Sequence, residues 1–203
     1  MRDTTDAQTP NDFFISAKTT TAIPVRHPTV RDALIQASLD PQVRSIDYVA
    51  SAQVASAQVA LDAVVLQREH GRYVLDIVPA RRVLDLDEGG LALIAWDELK
   101  LEPLEVTAEE LSREPRRSNA NLVWTYSGVA VPVGVRLRIQ QVLLEEGPMA
   151  LGQLLKALDG EGEPAVAVMA LACANLVCLD LFSQPLSPTT LVRLCVQAGT
   201  HGL

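Results

Sequence analysis

At 203 residues, 48% of them apolar and only 4% aromatic, the chain suits one or two domains with a core built mostly from Ala, Val and Leu. Its net charge of −8 is a poor global match to a phosphate backbone, which rewards clustered Lys and Arg. No run reaches the ~18 apolar residues of a membrane span, and the odd set Cys173, Cys178 and Cys195 reads as reduced thiols in a cytosol.

Residues 1–24 are rich in Thr, Asp, Asn and Gln, and residues 1–22 lack a continuous apolar core. They are expected to form a disordered polar tail, not a signal peptide, and the location expected is cytoplasmic. Thr29 then opens a helix, with Asp32 as its capping-box partner. Val30, Ala33, Leu34 and Ala37 share one face, and Asp40-Pro41 ends it. Residues 51–60 repeat SAQVA twice, a period too short for a solenoid, and are expected to be a strand or loop of small side chains.

Two strands follow, over 59–67 and 72–78. The turn between them holds Gly71 where a hairpin wants a positive φ, and Pro79 stops the second strand. Asp85 or Asp87 caps a helix running to about Lys100, with Leu91, Ile94, Ala95 and Leu99 as its apolar stripe. A short strand covers 103–106. Thr107 with Glu110 forms a second capping box, and residues 119–126 another helix. Residues 127–132 read as a joint between domains.

Beyond the joint, helices are expected at 135–146, 149–158 and 164–178, with Pro164 in the first turn of the third. Short strands at 179–183 and 190–195 complete the pattern. Three helices and a hairpin in so short a stretch outline a winged helix. Its third helix would read bases, yet it offers only Asn175, and no Lys or Arg occurs between Lys156 and Arg193. Weak duplex binding, or none, is therefore expected of residues 128–203.

Two carboxylates stand out. Asp62 and Asp76 lie on neighbouring strands of an antiparallel hairpin, which can set them side by side. Such a pair can hold Mg²⁺ through oxygen ligands, and the metal can activate water and stabilise phosphoryl charge. The plainer alternative is two solvent-facing strand aspartates. Arg81-Arg82 and Arg113, Arg116 and Arg117 are the densest basic clusters; Arg81, Arg82, Arg116 and Arg117 are the candidate nucleic-acid contacts. Glu98-Leu99-Lys100 reads as a solvated helix face. The cysteines with His201 lack a C-x-x-C pair and read as buried thiols. His27 and His70 stand alone. No nucleotide-binding loop, dinucleotide fingerprint or G-x-S-x-G elbow occurs.

From residue 29 to 126 the chain resembles the TnsA family of transposon endonucleases. VRDALIQASLDPQVRSI resembles that family's first helix and turn. LDAVVLQREHGRYVLDIVPARR resembles its nuclease hairpin, and VTAEELSREPRRSNANLVW the segment that closes the domain. The resemblance implies a restriction-endonuclease-like α/β fold over 25–127, a mixed sheet flanked by helices, and a small winged-helix domain over 128–203. It places Asp62 at the Pro-Asp aspartate, behind Leu61, and Asp76 at the second acidic position. Val78 stands at the expected lysine, and Val30 near the helix glutamate. Such a lysine is worth roughly two to four orders of magnitude in rate, and valine supplies none of it. The resemblance thus implies a catalytically degenerate protein of a mobile-element or DNA-processing system, at most a weak Mg²⁺ binder, working beside a protein partner that acts on DNA. The alternatives are an active Mg²⁺-dependent endonuclease whose lysine has migrated, and a winged-helix transcriptional regulator.

Overall fold

The structure is a computed structural model and describes residues 12–158, 160 and 162–195. The first part of the expected tail, residues 1–11, and His201 lie outside the described residues. Residues 12–25 are not a tail. Asp12–Phe14 (β1) and Ile23–Val25 (β2) pair as an antiparallel ribbon. Phe14 and Ile23 are buried, and Phe14 stacks on Trp124 at 5.1 Å between ring centroids. A few well-spaced apolar residues, not the mean polarity of the segment, decide its fate, because burial of one large side chain is worth about 1.5–3 kcal/mol.

Pro28–Leu39 (α1) follows. Its N-cap is His27, whose Nδ1 accepts from the Thr29 backbone N–H, so the expected Thr29 cap lies inside the first turn. Pro28 explains the shift: its preset φ and missing N–H suit the first helical position.

Val43–Val54 (β3), Ala57–Arg68 (β4) and Gly71–Ile77 (β5) form an antiparallel meander. The SAQVA repeat folds on itself: Gln53 pairs with Gln58 and Val54 with Ala57 across the turn at Ala55 and Ser56. Gly71 pairs with Arg68 and is not among the glycines with positive φ. A 3-10 turn, Val78–Ala80, leads towards Leu86–Glu98 (α2), which Asp85 caps. Leu101–Val106 (β6) returns parallel to β5, giving the mixed sheet order β3-β4-β5-β6.

The stripe on α2 differs from expectation. Ala92 and Ala95 are buried, while Ile94 is half exposed. Ala95 packs on Val54 and Val59 of the repeat hairpin, so small side chains on both sides bring helix and strands close. Ala108–Ser112 (α3) carries the expected Thr107–Glu110 capping box, and Arg116–Trp124 (α4) follows.

The remaining elements are Val133–Glu145 (α5), Met149–Ala150 (β7), Leu151–Ala157 (α6), Pro164–Cys173 (α7), Val177–Leu179 (β8) and Leu191–Leu194 (β9). The three strands form a sheet in the order β7-β9-β8. α7 is buried continuously from Ala167 to Cys173. One apolar cluster runs across the 127–132 joint, uniting Leu34, Ile46 and Val123 with Ile139, Val168 and Val192. Asn119 of α4 reinforces that contact. Its side-chain amide donates to the carbonyls of Leu181 (3.0 Å) and Gln184 (2.9 Å), and its oxygen accepts from Leu186 N (2.9 Å).

The cysteines depart from three reduced thiols. Cys178 and Cys195 are joined as a disulfide, because the β8–β9 ladder brings them together. Cys173 is free and buried; burial pushes its thiol up to about 11. Among the described residues, no helix is long and apolar enough to cross a membrane.

Candidate functional site

Asp62 sits on a bulge in β4. Ser51 pairs with Ala60 and Val49 with Ala63, so Leu61 and Asp62 together oppose one residue, Ala50. The extra residue puts Asp62 in the left-handed region, at φ 47°. A bulge of this kind re-aims a side chain. The ladder between β4 and β5 runs from Arg68↔Gly71 to Val65↔Val74 and goes no further. Asp62 and Asp76 lie just beyond its end, and both line one cavity of about 360 Å³. Val30 of α1 and Trp96 of α2 close its sides.

Every oxygen of the two carboxylates is engaged. The Tyr48 hydroxyl donates to Asp62 Oδ1 at 2.5 Å, and Arg26 Nη1 donates to Asp62 Oδ2 at 3.0 Å. Arg81 grips Asp76 with both arms of its fork, Nε to Oδ1 at 2.8 Å and Nη2 to Oδ2 at 2.6 Å. The same Nη2 donates to Glu105 Oε2 at 2.7 Å on the neighbouring strand β6. The Tyr48 hydrogen bond, then the Arg26 charge, hold the Asp62 carboxyl below its usual range against the opposing effect of burial. Burial, reinforced by Asp62, pushes the Tyr48 phenol up to about 12. Hydrogen bonds donated to Asp76 and Glu105 raise Arg81 and keep it charged.

Val78 is not where a strand lysine would stand. The strand ends at Ile77, Val78 enters the 3-10 turn, and its side chain is outside the cavity lining. Residue 78, which the resemblance sets at the expected lysine, does not continue the strand of Asp76, because the backbone turns between them. The cation that reaches Asp76 is Arg81, delivered by that turn. Arg82 also lines the cavity but pairs with Glu88 at 3.3 Å, and Lys100 reaches only Asp97, at 3.9 Å.

A divalent ion of the Mg²⁺ type wants about six oxygen ligands in near-octahedral order. The chain offers two carboxylates with all four oxygens already hydrogen-bonded, and Val30 beside them supplies no further oxygen. Among the described residues, no three His, Cys, Asp or Glu side chains gather into a set that would hold a metal. The residues present do not fit such an ion.

The other basic candidates separate. Arg116 is half-buried, lies over the Phe182 ring at 4.6 Å and approaches Asp40 at 4.0 Å. Arg117 is exposed, with no ion pair among the described residues. Arg26, Tyr48 and Glu105 were missed by sequence reasoning. Tyr48 carried a faint signal, an aromatic two residues from the buried Ile46 and so on the same strand face. Arg26 carried none.

No protein-family model matches the chain, and no curated protein matches its sequence.

Proposed function

We propose that this chain is a TnsA-like protein of the restriction-endonuclease-like fold whose metal centre has become an arginine–carboxylate cluster. It acts by positioning a protein partner in a DNA-processing system. The observation that carries the reading is the pairing of Asp62 with Arg26 and of Asp76 with Arg81 inside one cavity at the open end of the β4–β5 hairpin. Two salt-bridged carboxylates are poor ligands, and guanidinium is a poor general base. The order helix, three antiparallel strands, helix, parallel strand agrees with the nuclease core that the resemblance implies.

The order α5, β7, α6, α7, β8, β9 supports a winged-helix reading of the second half. In that arrangement α7 would be the reading helix and residues 180–190 the wing. Yet α7 is buried along most of its length, and Asn119 ties the wing to the first half. The buried α7 is not presented to a DNA groove, which supports a role in holding proteins together.

The test is incubation of the full chain with supercoiled and linear duplex DNA in Mg²⁺ and in Mn²⁺. The expected result is no nicking. Cleavage by the wild type that Asp62→Ala or Asp76→Ala abolishes would establish an active endonuclease instead.

A further inference from the structure

A second cavity, of about 270 Å³, lies beside the first and shares only Leu75 with its lining. Three arginines from different segments meet there: Arg68 at the end of β4, Arg113 after α3, and Arg116 at the start of α4. Among the described residues, none of the three guanidiniums donates a hydrogen bond to another group of the chain. Arg68 and Arg116 approach Asp40 only at 3.7 and 4.0 Å, beyond hydrogen-bond reach. Their Nε atoms are buried without a partner.

That is unusual for groups which normally find partners when buried. Four carboxylates also line the cavity, and each accepts a hydrogen bond from a group other than these arginines. Glu105 binds Arg81, Glu110 closes the Thr107 capping box, and Glu114 accepts from Ser118 N. Asp40 accepts from Gln42 N, and its backbone carbonyl accepts from Lys18 Nζ. Burial, together with repulsion from Arg68 and Arg113, lowers the Arg116 pKa despite the attraction of Asp40 and Glu110.

We infer that this cavity binds a phosphate monoester, its phosphate held by Arg68, Arg113 and Arg116 and its organic part by the apolar wall of Leu66, Leu75 and Leu104. Guanidinium forks match phosphate oxygens two at a time, and three forks from three directions suit a tetrahedral group better than a planar carboxylate. Phe182 already stacks on Arg116 and keeps that guanidinium in place.

The experiment is isothermal titration of the full chain, at fixed ionic strength, with phenyl phosphate, inorganic phosphate and benzoate. Phenyl phosphate is expected to bind saturably and most tightly, inorganic phosphate more weakly, and benzoate weakest. Arg113→Gln changes an exposed side chain, so the fold is retained; it and Arg116→Gln are each expected to weaken phenyl phosphate by about tenfold or more. Arg44→Gln, on an exposed arginine outside the cavity, is expected to bind like the wild type. No saturable binding of either phosphate, or unchanged binding by Arg113→Gln and Arg116→Gln, would overturn the inference. Benzoate binding as tightly as phenyl phosphate would overturn the phosphate assignment. No DNA or divalent metal enters this titration, so its outcome is independent of the proposed role in DNA processing.

Discussion

The Tyr48 hydroxyl and the Asp62 carboxylate meet at 2.5 Å across the β3–β4 ladder, beside the bulge that turns Asp62 into the left-handed region. The pair explains why an aspartate persists at a strained strand position: its charge is answered on one side by a phenol and on the other by Arg26. The same contact removes one carboxylate oxygen from use by a metal.

Tyr48→Phe removes this hydrogen bond and is expected to cost about 1–2 kcal/mol, the range for a partly exposed bond to a charged group. The Asp62 pKa is lowered in the folded protein, so its stabilisation is present above the unfolded carboxylate value and is lost as pH falls through the folded value. The deficit of Tyr48→Phe against wild type should therefore be largest above about pH 4 and shrink in acid. Urea denaturation at a series of pH values measures it; a deficit that grows in acid contradicts the assignment.

Metal affinity should appear when the arginines go. Wild type is expected to show no saturable Mn²⁺ binding by electron paramagnetic resonance. Arg26→Ala combined with Arg81→Ala frees oxygens on both aspartates and should create a weak site, with affinity near the ~10⁻⁴–10⁻³ M of weak carboxylate sites. Val78→Lys alone is expected to leave cleavage undetectable, because residue 78 lies outside the cavity lining and Val30 supplies no carboxylate. Cleavage restored by that single change would refute the geometry described for the 3-10 turn.

Asn119→Ala leaves two carbonyls and one backbone N–H of the 181–186 segment without their partner. The expected loss is about 2–3 kcal/mol, read as a lower thermal midpoint. Hydrogen exchange should rise first in residues 180–187, because that segment loses its tie to α4. Unchanged protection there would mean that apolar contacts alone hold the two halves together.

Lys18 is buried, and burial lowers its ammonium from 10.5 to about 8 despite the nearby Asp40 charge. Between these values the unfolded chain binds more protons than the folded one, so the Lys18 contribution to stability rises with pH through that window. The full difference is on the order of 3 kcal/mol. The stability of Lys18→Met relative to wild type should therefore be greatest near pH 7 and decline towards pH 10. A pH-independent difference between the two would show that Lys18 titrates normally.

Local chemistry made much of the fold legible. The hairpin around residues 68–71, the Thr107–Glu110 capping box, the Asp85 cap and the helix that Asp40-Pro41 ends all follow from side chains acting on their own backbone within a few residues. The mixed sheet flanked by helices follows from their order. The SAQVA repeat was readable as small-residue strand, but not as a hairpin pairing with itself, since pairing depends on the turn at Ala55 and Ser56.

The candidate site divides the same way. Sequence alone named Asp62, Asp76, the valines at positions 30 and 78, and the Arg81-Arg82 cluster. Only the tertiary structure decided what those residues meet. Arg26 is 36 positions from Asp62, and Glu105 is 24 from Arg81; such pairs have no local signature. The bulge that aims Asp62, and the end of β5 that carries Val78 away and Arg81 in, depend on where the β4–β5 ladder stops. The burial of Phe14, Ile23 and Lys18 inside a polar segment, and the meeting of Cys178 with Cys195, were likewise settled by packing. Local propensity is a matter of a residue and its near neighbours, whereas charge pairing and burial are decided by which distant segments the folded core brings together.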